Sequence, residues 1–265
     1  MNKVALVTGG SSGIGRSCAA ALAGAGYEVY ECSRHAPKEN MPGVAHLTAD
    51  VTREEDVKAA VEEIEREAGR LDLLVCCAGF GISGALEFTD PADSHALLET
   101  NLFGADNCVR AALAVMRKQK KGRVIFISSV ASVVPIPFQG WYSAAKAAMN
   151  AYARSLAAEV RPFGITVCSV LPGDVKTGFT AARKKEHAGD DVYGGRIARS
   201  VAVMEHDEKT GMPPERIARA VVHCANARRV KPCRSVGLQY RFFCVLAKLL
   251  PEALCARIVE RIYAK

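Results

Sequence analysis

Val4-Ala5-Leu6-Val7-Thr8-Gly9-Gly10-Ser11-Ser12-Gly13-Ile14-Gly15 carries four apolar residues straight into a Gly/Ser turn. A short, continuously apolar run of this kind reads as a strand buried on both faces, as in a parallel sheet. The Ala-rich stretch from Ser17 to Ala25, stopped by Gly26, reads as the following helix. Glycines let such a turn close tightly and approach a pyrophosphate, whose charge the helix N-terminus stabilises. The spacing Gly9-x-x-x-Gly13-x-Gly15 differs from the general Gly-x-Gly-x-x-Gly fingerprint, yet it stands in the same place, between an N-terminal strand and its helix.

Working outward, strands are expected at Glu28 to Cys32, His46 to Ala49, Leu71 to Cys76, Arg123 to Ser128 and Ile165 to Leu171. Helices are expected at Glu54 to Ala68, at His95 to Lys118 as one long helix carrying Asn101, and at Trp141 to Val160. This alternation predicts an α/β fold over residues 1–265: one Rossmann-type, doubly wound parallel sheet with helices on both faces. Residues 176–212 are charged, Gly-containing and weakly periodic, too long for an ordinary connection, and are expected to form a substrate lid. After Pro213-Pro214 a helix should run to about Arg228, followed by a short strand near Ser235 to Gln239.

The tail, 241–265, places Phe242, Phe243, Val245, Leu246, Leu249, Leu250, Leu254, Ile258 and Ile262 at roughly helical spacing, and Pro251 should divide it into two helices. No uninterrupted stretch is long enough to span a bilayer. The expectation is a helical extension packed on the core or on a second subunit, in preference to a membrane-surface anchor.

At 265 residues and 28.3 kDa the chain suffices for one domain with a sizeable core. Its net charge is +7, with basic residues that look dispersed apart from Arg117 to Lys121 and Arg183-Lys184-Lys185. The first run ends a helix, where cations suit the macrodipole, so no nucleic-acid patch is read here. The ten cysteines fall mostly within apolar segments, without Cys-x-x-Cys or Cys/His metal spacing, and the chain enters a strand directly after Met1. Free thiols in a reducing cytoplasm, no signal peptide and no metal site are the expectation.

Tyr142 and Lys146 in Trp-Tyr-Ser-Ala-Ala-Lys stand four apart, and so share one helix face. A fixed ammonium beside a phenol pulls the phenol's pKa down from about 10 toward the working range. Such a pair is a candidate acid/base device, whose bland counterpart is a solvated helix face.

With Ser129 thirteen residues upstream of Tyr142, the chain resembles the short-chain dehydrogenase/reductase family, over roughly Lys3 to Thr177. The family's Thr-Gly-x-x-x-Gly-x-Gly stands at Thr8 to Gly15, its Asn-x-x-Gly at Asn101 to Gly104, and its Pro-Gly-x-Val-x-Thr at Pro172 to Thr177. The resemblance implies a cofactor cradle of Gly9, Ser11, Ser12, Gly13, Ile14 and Gly15. It adds Asp50 and Val51 at the adenine, Ala78 and Gly79 after the fourth strand, and Pro172, Gly173, Val175 and Thr177 after the sixth. Where the family shows Asn-Asn-Ala-Gly, this chain has Cys76-Cys77-Ala78-Gly79, a departure that puts local hydrogen bonding in doubt.

The second strand ends in Ser33-Arg34 rather than the acid that accepts from a ribose 2′-hydroxyl. A hydroxyl and a guanidinium suit a 2′-phosphate, so the resemblance implies NADP(H), with Glu31 expected to point elsewhere. It further implies that Tyr142 exchanges the proton and Lys146 lowers the phenol's pKa and binds the nicotinamide ribose. Ser129 would orient the substrate oxygen, with Ser128 as its rival, and Asn101 would hold a relay water. An apolar approach past Val134, Phe138, Phe179 and Tyr193 suits a lipophilic ketone, aldehyde or alcohol such as a hydroxysteroid. Two alternatives stay open: a 3-oxoacyl-thioester reductase docking an acidic carrier on Arg183-Lys184-Lys185, and a non-catalytic NADP(H)-sensing protein. Family likeness also implies a homodimer or homotetramer paired through the helices bearing Asn101 and Tyr142.

Overall fold

In the computed structural model, which describes residues 2–264, strand and helix alternate along the chain. The first part comprises β1 (Lys3–Thr8), α1 (Gly13–Gly24), β2 (Tyr27–Ser33), β3 (Val44–Thr48), α2 (Glu54–Ala68), β4 (Leu73–Cys76) and a two-residue β5 (Ile82–Ser83). Then come α3 (Pro91–Leu98), α4 (Gly104–Gln119), β6 (Gly122–Ile127), α5 (Gly140–Val160) and β7 (Ile165–Leu171). The remainder is α6 (Phe179–Ala182), β8 (Lys184–Lys185), α7 (Arg196–Thr210), α8 (Pro214–Asn226), β9 (Cys233–Ser235), α9 (Leu238–Leu249) and α10 (Glu252–Tyr263).

Seven strands form one parallel sheet in the order β3-β2-β1-β4-β6-β7-β9. The chain winds outward from β1 in one direction and from β4 in the other. The crevice at their carboxyl ends is thus a topological switch point, where such sheets bind ligands.

Successive strand residues face opposite sides, and the core divides accordingly. Leu6, Leu74 and Phe126 join Val61 and Ile64 of α2, Val109 of α4 and Met149 of α5 in one layer. Ala5, Val75 and Ile125 join Leu22 of α1 and Ile217 and Val221 of α8 in the other.

Several elements depart from expectation. β4 starts at Leu73 rather than Leu71; just before it, the Asp72 carboxylate accepts from the Val4 N–H at 2.9 Å and from the Arg70 guanidinium at 2.7 Å. The expected long helix is interrupted by a π-helical turn at Glu99–Phe103 that separates α3 from α4. Residues 176–212 carry regular elements. β8 pairs with β5, and α7 buries Ile197, Val201 and Met204 beneath a charged outer face. The strand expected at Ser235 to Gln239 lies at Cys233–Ser235, and Gly237, at φ +96°, turns the chain into α9. Pro251 divides the tail as expected, between α9 and α10. No helix among the described residues is long and apolar enough to cross a membrane.

Candidate active site

The glycine turn sits between the β1 end and α1, pressed against the β4 end. Gly9 has φ +66°, and a Cβ there would lie 2.9 Å from the Ala78 Cα; at Gly15 it would lie 2.2 Å from the Gly9 carbonyl oxygen. Only glycine allows this approach. Thr8 supplies the support missing from the Cys76-Cys77 departure: its hydroxyl oxygen accepts from the N–H groups of Cys77 and Ala78, both at 3.0 Å. The Cys76 thiol is buried in one core layer, and burial pushes the Cys77 thiol up to about 12, so both are protonated packing groups at neutral pH.

A cavity of about 1540 Å³ opens from this turn across the carboxyl ends of the strands. Its first end is walled by Gly9, Ser11 to Gly15, Ser33, Arg34, Asp50 and Val51. Arg34 is exposed, while the Ser33 hydroxyl donates to the Glu31 carboxylate at 3.1 Å and to the His35 carbonyl at 3.0 Å. Glu31 itself is fully buried beneath Gly10 and pairs with the His46 Nδ1. Burial acts upward on Asp50, but hydrogen bonds from the Thr52 N–H and hydroxyl, with Arg34 and Arg53, hold it below the usual carboxylate range. A close-approach glycine cradle, a helix N-terminus and a free-standing guanidinium fit a phosphorylated dinucleotide.

Ala78 and Gly79 line the middle of the cavity, with Pro172, Gly173, Val175 and Thr177 opposite. Ser129, Tyr142 and Lys146 converge there. Ser129 caps the short turn after β6, its oxygen accepting from the Ala131 N–H at 3.1 Å. The neighbouring Ser128 hydroxyl is spent on the Lys146 carbonyl, at 3.2 Å. Lys146 donates to the Ile127 carbonyl at 2.9 Å.

The electrostatics differ from the two-residue expectation. Burial pushes the Tyr142 phenol up to about 12, against the lowering effects of its hydrogen bond with Ser129 and of Arg183. Burial pulls the Lys146 ammonium down to about 8. Desolvation thus outweighs the pairing of four-apart side chains.

Asn101 is fully buried in the π-turn, away from the cavity wall. Its side chain clamps one residue: Oδ1 accepts from the Phe80 N–H at 3.0 Å and Nδ2 donates to the Phe80 carbonyl at 2.9 Å. A Cβ on Gly79 would lie 2.8 Å from that Oδ1. Asn101 therefore shapes the wall after β4 through its side chain.

Of the expected substrate contacts, Val134 and Phe179 line the cavity, and the Phe179 ring lies 5.7 Å from that of Tyr142. Phe138 and Tyr193 do not: they pack edge to face on each other at 5.5 Å, and the Tyr193 hydroxyl donates to Glu87 at 2.6 Å. The tail supplies cavity wall instead: Leu246 and Leu250, read in the sequence only as part of the tail's apolar pattern, line it together with Val259, Tyr240, Asp174 and Asp207. The Tyr240 hydroxyl donates to Asp174 at 2.7 Å.

The basic run dissolves into ion pairs: Arg183 is buried against Glu208, Lys184 pairs with Asp93 and Lys185 with Glu205. It offers no free cationic surface for a carrier.

The short chain dehydrogenase family profile matches residues 3–188. The chain is 42% identical over 235 residues, 88% of its length and 87% of the relative's, to a 3-ketodihydrosphingosine reductase of Bacteroides thetaiotaomicron. It is 34% identical over 209 residues, 77% of its length and 88% of the relative's, to a human 3-oxoacyl-[acyl-carrier-protein] reductase. A short-chain dehydrogenase from Streptomyces avermitilis superposes with a TM-score of 0.83 at 29% identity, over 98% of this chain and 96% of that one. Fold, cradle and these likenesses agree that the chain belongs to the short-chain dehydrogenase family, oxidoreductases that act on carbonyl and alcohol groups with a nicotinamide cofactor.

Proposed function

We propose that the protein is an NADP(H)-dependent reductase of long-chain aliphatic ketones, with 3-ketodihydrosphingosine as the first compound to test. The observation that carries this reading is the cavity itself: Ser129, Tyr142 and Lys146, in mutual contact through Tyr142, share its wall with the apolar tail side chains Leu246, Leu250 and Val259. A reacting carbonyl beside Tyr142 would leave an alkyl chain lying along Leu246, Leu250 and Val259, which favours burial of each methylene. The likeness to the Bacteroides reductase supports the same substrate class.

Bound NADPH supplies the hydride. This chain's residues do the rest: the Ser129 hydroxyl polarises the substrate oxygen, Tyr142 gives it a proton, and Lys146 holds the ribose and recharges the phenol. Because the Asn101 side chain is committed to Phe80, a relay water beside Lys146 would rest on the Asn101 main-chain carbonyl in the widened turn. Arg34 and Ser33 favour the 2′-phosphate. Ten free thiols suit a reducing compartment, and α4 and α5 are the faces on which a homo-oligomer would pair.

The test is NADPH oxidation with 3-ketodihydrosphingosine, a hydroxysteroid ketone, a 3-oxoacyl thioester and a short ketone. Highest kcat/KM on the long-chain amino ketone is expected. A preference for the acyl thioester would replace this reading, and NADPH binding without turnover on any would make the protein a sensor.

A further inference from the structure

The positive charge of this protein is not dispersed. Residues 228–265 hold nine Lys and Arg against two Glu, the whole formal +7, while the preceding 227 residues hold 26 of each sign. Among the described residues, none of Arg228, Arg229, Lys231, Arg234, Arg241, Lys248, Arg257 or Arg261 forms an ion pair with a side chain, whereas Glu260 pairs with Arg196.

The same segment leaves its apolar side uncovered. Packing on the core buries Tyr240, Cys244 and Ala264, but Leu238 stays 81% exposed, Leu249 76% and Phe242 62%. Leu238, Phe242, Val245 and Leu249 follow one stripe of α9, and Leu254, Ile258 and Ile262 one stripe of α10. Arg241 and Lys248 stand beside the first stripe, and Arg257 and Arg261 beside the second. Apolar rows bordered by long cationic side chains are what a helix lying in a lipid headgroup layer presents, rings and aliphatics inward and cations at the phosphates.

We infer that α9 and α10 form a docking surface for an anionic lipid bilayer, and that the substrate enters the cavity directly from it. Ile258, Ile262 and Leu238 belong to both the exposed stripes and the cavity lining, and the exposed Phe243 lines the cavity beside them, so the cavity opens on this face. A second copy of the chain is the less suitable occupant. An isologous contact here would set the seven excess charges of one copy against seven of the other, whereas anionic headgroups complement them.

The inference rests on the reading of the site as one for a lipophilic substrate, but vesicle binding is measured without turnover, so the two fail separately. Full-length protein is co-sedimented with vesicles of equal parts phosphatidylcholine and phosphatidylglycerol, and with phosphatidylcholine alone. The bound fraction should be at least about tenfold higher on the anionic vesicles and fall with added salt.

Phe242→Ser/Leu249→Ser and Arg241→Glu/Lys248→Glu should each reduce binding about tenfold. None of these four residues lines the cavity, so turnover of a water-soluble ketone and the circular dichroism spectrum should be unchanged. Equal binding to both vesicle types, or to neither, overturns the inference. So does a dimer by light scattering that Phe242→Ser/Leu249→Ser splits into monomers, since a second copy would then cover the face.

Discussion

The Lys146 ammonium stands 5.7 Å from the centre of the Tyr142 ring and donates to the Ile127 carbonyl at 2.9 Å. The pair that the sequence presents as a charge acting on a phenol is therefore a buried ammonium beside a half-buried phenol at the cavity wall, both desolvated. Burial takes the phenol up to about 12 and the ammonium down to about 8. Both shifts disfavour the charged forms, but at pH 7 only Lys146 is charged, so it alone makes the site costly to keep.

That cost can be measured at Lys146. Its pKa in the folded chain lies below the ordinary value near 10.5, so the unfolded state binds more protons between pH 8 and 10.5. Its contribution to stability is therefore least favourable below pH 8 and improves as pH rises through that window. Lys146→Met should stabilise the cofactor-free protein by roughly 1–3 kcal/mol at pH 7, the unit-pKa conversion less one lost hydrogen bond. The gain should vanish toward pH 10.5 while turnover is lost. Urea denaturation at both pH values checks it, and equal gains at both would show packing rather than charge at work.

Tyr142 is protonated at pH 7 and so has a proton to give, leaving a phenolate that Lys146 recharges. Tyr142→Phe should lower kcat by about 10²–10⁴-fold, the span of general acid catalysis. NADPH affinity, read by fluorescence titration, should stay within a factor of about three, because the phenyl ring still fills its place beside Phe179. A comparable loss of cofactor affinity would move Tyr142 from chemistry to binding.

Arg34 is exposed at the rim of the cradle, while the Ser33 hydroxyl is already held by buried Glu31. Recognition of a 2′-phosphate should then rest chiefly on the guanidinium. Arg34→Ala should weaken NADPH binding by about ten- to a hundredfold, the loss of one charge-assisted contact, and leave NADH nearly unchanged. Equal weakening of both, measured by calorimetry, would assign Arg34 to the adenine side instead.

The parts of this site that were legible in the sequence are those set by local spacing. The glycine turn, the four-residue step from Tyr142 to Lys146 and the strand alternation each need only neighbouring residues to be read. What escaped depends on contacts far along the chain. The clamp of Asn101 on Phe80 spans 21 residues, and the π-turn that aims it leaves no apolar period to detect. Helix α7 was masked because its outer face is charged, and only its contact with Ala85 and Phe138 shows which residues turn inward. Phe138, at φ +58°, stands in an apolar stretch next to Tyr142 in sequence, but its ring is committed to Tyr193. The basic run at 183–185 looked like surface because its acidic partners, Glu208, Asp93 and Glu205, lie on other elements.

Arg183 and Glu208 offer the sharpest test of how Tyr142 is tuned. The guanidinium is buried over the Phe179 ring, at 5.5 Å, with Nε and Nη1 left unpartnered, and Glu208 also accepts from the Thr180 hydroxyl at 2.6 Å. Arg183 lowers the phenol's pKa and Glu208 raises it. Removing either partner leaves a buried charge alone and should destabilise the fold by about 3–5 kcal/mol. A purely structural pair would therefore respond alike to both substitutions. The pH profile of kcat should not. Arg183→Met removes a lowering charge and should move the alkaline limb assigned to Tyr142 to higher pH, whereas Glu208→Gln should move it to lower pH. Shifts of the same sign in both variants would reduce the pair to a strut for the loop, and leave Ser129 as the group that tunes the phenol.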